Sequence, residues 1–142
     1  MNNLQDESGW LSNRKYQVGV LLLGLLSPYL ARIPGIPKHG IRWLVEYFPS
    51  LGGFIFFGLL DLLPFGFLLF LRKSKSDRII PFWFGVVFAF VFVFVLHGLI
   101  DLASDAQAAV VLVFIPLYAI PVSLVGWIIG FLFQWFQRKR NG

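Results

Sequence analysis

The stretch "IIPFWFGVVFAFVFVFVLHGLI", residues 79 to 100, contains a single ionisable side chain, His97, and this constrains the chain more than any other feature. A helix rising about 1.5 Å per residue crosses the roughly 30 Å hydrocarbon core of a bilayer in about 20 residues, and this run is long enough. Its inner part, "FAFVFVFV" (88 to 95), alternates as a strand would. A lone strand in lipid leaves its backbone amides unpaired, at several kcal/mol each, so the sequence predicts a helix.

Three further segments have the same character. The expected architecture is an all-α membrane protein of four transmembrane helices, at about 16–33, 51–71, 79–102 and 105–136, forming one domain over 1–142. A polar tail, 1–15, precedes them and a basic tail, 137–142, follows. Composition agrees, since 58% of residues are hydrophobic and 13% charged. A soluble domain needs about a quarter charged residues, and a chain this poor in them has no polar coat to put around its core. Arg14 and Lys15 before "VGVLLLGLL" have the order of a signal peptide, but "YLARIPG" offers no small-x-small cleavage site, so an uncleaved anchor is expected.

The twelve basic residues set the expected orientation. Arg14 and Lys15, then Arg72, Lys73, Lys75 and Arg78, then Arg138, Lys139 and Arg140 all fall on one side of a four-span chain. The positive-inside rule makes that side cytoplasmic, giving a multi-pass protein of the plasma or inner membrane with both termini inside. A net charge of +5 distributed around apolar spans is not a nucleic-acid stripe, and no nucleic-acid partner is expected. The first loop is bounded by Pro34, Pro37 and Pro49, and a short interfacial helix at 38–48 fits it, with Arg42 and Glu46 one turn apart. "GLLDL" at 58–62 recurs as "GLIDL" at 98–102, but the flanks differ, and a leucine-rich alphabet repeats easily.

Asp61 is the sharpest functional signal, because it lies in the middle of the second span, where a carboxylate costs roughly 2.5 to 3.5 kcal/mol. Ser27 and Ser123 are expected near its depth, and Pro64 frees a backbone carbonyl in the turn before it. His97 and Asp101 are one turn apart on the third span, so an imidazole–carboxylate contact is available between them. By rise alone His97 falls several ångströms outside the level of Asp61, so direct contact between these two requires tilt or a bridging water. Asp61, His97 and Asp101 are therefore the candidates for proton or cation handling.

Ser104 and Gln107 have capping-box spacing, with Asp105 in the first turn at the positive end of the helix dipole. The fourth span carries Ala119, Ser123, Gly126 and Gly130 in steps of four, three and four, a narrow face of small residues for close helix packing. The spacing leaves open whether the partner is in the same chain or in a second copy.

No cysteine occurs, and His97, Asp101 and Asp105 would need further ligands from other helices to surround an ion, so neither a metal nor another cofactor is expected. No phosphate loop, nucleophile elbow or HExxH helix occurs either, which argues against an enzyme. Two readings of function remain. The first is a proton- or cation-handling transport or channel subunit. Four spans are few for a complete pathway, so it would work as a homo-oligomer or with other membrane subunits. The second is a non-catalytic accessory, assembly or immunity protein acting by helix–helix interaction.

Overall fold

A computed structural model of the chain describes residues 3–46, 51–73, 79–101 and 107–141. The elements are α1 (Asn3–Leu30), a 3-10 turn (Ile33–Gly35), α2 (Ile36–His39), α3 (Arg42–Val45), α4 (Leu51–Lys73), α5 (Ile79–Leu99) and α6 (Ala108–Asn141). Among the described residues four helices are long and apolar enough to cross a membrane, and the chain is an all-α, multi-pass membrane protein.

Boundaries differ from the sequence expectation where polar flanks are concerned. Helix α1 begins at Asn3 and α6 continues to Asn141, because a helix established in the span extends at one hydrogen bond per residue into a flank that lacks proline. Helix α5 stops at Leu99, before Asp101. The described part of the predicted 38–48 helix is divided into α2 and α3 at Gly40, whose φ of +76° takes it out of the helical region, and residues 47 and 48 lie outside the described residues.

Contacts between named residues fix the relative directions of the helices. Helices α1 and α4 are antiparallel: Arg72 lies over the Tyr16 ring near one end, and Gly58 abuts Leu25 further along. Helices α5 and α6 form the second antiparallel hairpin, with Gly126 against Phe84 and Phe88, and Gly130 against Pro81. The hairpins then join, α4 against α6 and α1 against α5, with α4 and α5 also touching.

Two hydrophobic clusters fill the bundle. One, toward the basic end, includes Val20, Phe65, Leu68, Phe82, Val86 and Trp127. The other includes Tyr29, Val93, Leu112, Ile115 and Ala119, with Phe57 packed against it. On α4, Phe57 and Phe65 thus belong to different clusters, and Asp61 falls midway between them. The surface left for lipid on α5 is a stripe of valines, Val87, Val91 and Val95, each about half exposed, while its buried stripe runs through Gly85, Ala89 and Val93 to His97.

Candidate functional site

Asp61 and His97 meet inside the bundle. The His97 Nε2 and Asp61 Oδ2 atoms are 3.0 Å apart, and both side chains are 1% exposed. The contact lacks the alignment of a linear hydrogen bond, and Asp61 Oδ1 has no hydrogen-bond partner among the described residues.

The contact is direct, and the geometry of the two helices accounts for it. Leu68 packs on Gly85, which fixes the register of α4 against α5. From that level Asp61 is seven residues along α4 and His97 twelve along α5, an offset of about 7 Å between backbone positions. Side chains on a helix lean toward its N-terminus, however, and these helices are antiparallel. Asp61 leans toward the Leu51 end, His97 leans back toward the Ile79 end, and the two converge.

No family model matches this chain, and no curated protein or solved structure matches it. The chemistry of the site therefore rests on its own geometry. A carboxyl and an imidazole sharing one proton are neutral as a pair, whichever group holds it, which suits a site buried inside an apolar bundle. A second proton makes the pair a cation, and loss of the shared one makes it an anion. Two titratable groups in contact are thus held on different helices inside the bundle.

The other predicted residues are placed as follows. Asp101 lies past the end of α5 and is half-buried. Ser27 and Ser123 are fully buried, but their hydroxyls turn to their own helices: Ser27 Oγ donates to the Gly24 carbonyl at 2.8 Å, and Ser123 Oγ to the Ile120 carbonyl at 2.6 Å. Pro64 is buried one turn from Asp61 and supplies no amide to the carbonyl of Leu60. Ala119, Ser123, Gly126 and Gly130 are all buried. A Cβ added at Gly126 would come within 2.7 Å of the Phe84 carbonyl oxygen, so this part of the small face is occupied by α5 of the same chain. Ser104 and Asp105 lie outside the described residues, while the Gln107 carbonyl accepts from the amides of Val110 and Val111 as α6 begins. Among the described residues no three His, Cys, Asp or Glu side chains gather as metal ligands would.

Sequence reasoning missed Arg32. Its side chain is fully buried, its guanidinium lies 3.8 Å from the centre of the Trp43 ring, and Nη1 donates to Glu46 Oε2 at 3.3 Å. The connector thereby folds over the end of the bundle next to His97, because the Ala31 carbonyl sits against Gly98. The available signal was a lone basic residue just after a span, followed fourteen positions later by the loop's only acid, but α-helical spacing pairs that acid with Arg42 instead.

Proposed function

We propose that this protein is a proton-handling subunit of a membrane transport or channel assembly, with Asp61 and His97 as the exchanging pair. One observation carries the reading: a carboxyl buried at mid-span lies 3.0 Å from an imidazole on a neighbouring helix, with both side chains 1% exposed. Oδ1 is the atom that takes the incoming proton, or a cation in its place, and His97 releases or regains the shared one. The Arg32–Glu46–Trp43 cover governs access from its side. Completing the pathway calls for further copies or other subunits.

The test is proton flux in liposomes under a potassium diffusion potential, read by an entrapped pH dye. The parent protein acidifies or alkalises the lumen faster than empty liposomes do, and Asp61→Asn returns the rate to that of empty liposomes while keeping its helix content and detergent-corrected mass. Equal flux through parent and variant contradicts the proposal.

The second reading, an accessory, assembly or immunity protein, draws on the complete enclosure of both groups and on the use of Gly126 and Gly130 within the chain. It expects no flux from the parent protein itself.

A further inference from the structure

Arg72 sits in the last turn of α4, half-buried, with its guanidinium 4.2 Å from the centre of the Tyr16 ring and 5.2 Å from that of Phe82. Tyr16 is in turn held edge-on by Phe82 and Trp83, at 5.4 and 5.5 Å between centroids. Three helices therefore fix this cation. Stacking engages the faces of the guanidinium and leaves its edge of N–H donors available. Among the described residues no carboxylate reaches it: Glu46 pairs with Arg32 over the opposite end, Asp61 faces His97, and Asp101 follows α5 at that opposite end. The other charged side chains described at the Arg72 end, Arg14, Lys15, Arg138, Lys139 and Arg140, are all basic and exposed. The last three belong there because Gly130 abuts Pro81 and Phe84 stacks near Phe133.

A helix C-terminus favours a cation, and a long side chain can reach the interface from a span, but neither effect calls for a cradle of rings from two other helices. An oriented fork of donors at an end where the charged side chains described beside it are all basic has the complement of a phosphate group. We propose that Arg72, stacked on Tyr16, binds the phosphate of an anion, either an acidic lipid headgroup at this face of the membrane or the free ion.

Native mass spectrometry of the detergent-purified protein tests this with short-chain phosphatidylglycerol, short-chain phosphatidylcholine and inorganic phosphate as probes. The parent binds the phosphatidylglycerol about tenfold or more tightly than the phosphatidylcholine, whose ammonium meets the basic ring unfavourably. Arg72→Gln loses that preference, while Arg138→Gln stays within about twofold of the parent. Inorganic phosphate that displaces the lipid assigns the free ion as ligand, and failure to displace it assigns the lipid. If Arg72→Gln does not fold, Arg72→Lys serves instead: it keeps the charge, gives up the fork and the stack, and still weakens binding about fivefold or more. An unchanged affinity in whichever variant folds, or a parent that treats both lipids alike, overturns the proposal.

Discussion

An aspartate in mid-span adds roughly 2.5 to 3.5 kcal/mol to the cost of inserting its helix, and the contact with His97 is the compensation on view. The sequence makes the anomaly of Asp61 plain but does not fix its partner. Its contact with His97 depends on the opposite lean of side chains on two antiparallel helices, which a count of residues along each helix does not contain. Arg32 was hidden for a similar reason, since its partners Trp43 and Glu46 reach it only after the chain has turned at Gly40. That turn has a φ of +76° with an extended ψ, a region essentially reserved for glycine. Gly40→Ala should therefore cost about 1 to 3 kcal/mol and loosen the Arg32 cover, seen as faster hydrogen exchange in residues 41–46. Exchange unchanged from the parent would mean the connector does not depend on this turn.

At the scale of elements, four spans were legible because the apolar runs are long and lipid leaves the backbone little alternative to helix. Helix ends were less legible, as polar flanks such as 3–15 carry no strong stop signal. The small face of α6 was visible in the sequence, but its partner was not, because residue size says that something approaches closely without saying what. The structure gives part of the answer in the contacts of Gly126 with Phe84 and Phe88 and of Gly130 with Pro81. Added bulk there must displace backbone, so Gly126→Val should destabilise the α5–α6 hairpin by about 1 to 3 kcal/mol, measured by thermal unfolding in detergent. A variant as stable as the parent would show that this approach is looser than the geometry indicates.

At the scale of the whole molecule, nine of the twelve basic residues fall in the terminal regions and the α4–α5 connection, and charge alone predicts the side on which they lie. A reporter active only in the cytoplasm should work when fused after residue 75 and fail after residue 105, and the reverse pattern would invert the topology. The pair also has a global role, since α4 belongs to one hairpin, α5 to the other, and Asp61 and His97 tie them together in a medium with little hydrophobic force to do so. The most direct measurement is a double-mutant cycle on unfolding free energy in detergent or bilayer, with Asp61→Leu, His97→Leu and the two combined. Either single change strands a polar group in an apolar interior, whereas the combined change strands none, so the double variant should be more stable than the sum of the singles implies, by at least about 1 kcal/mol. If the two effects simply add, the residues do not meet inside the membrane and the account is wrong.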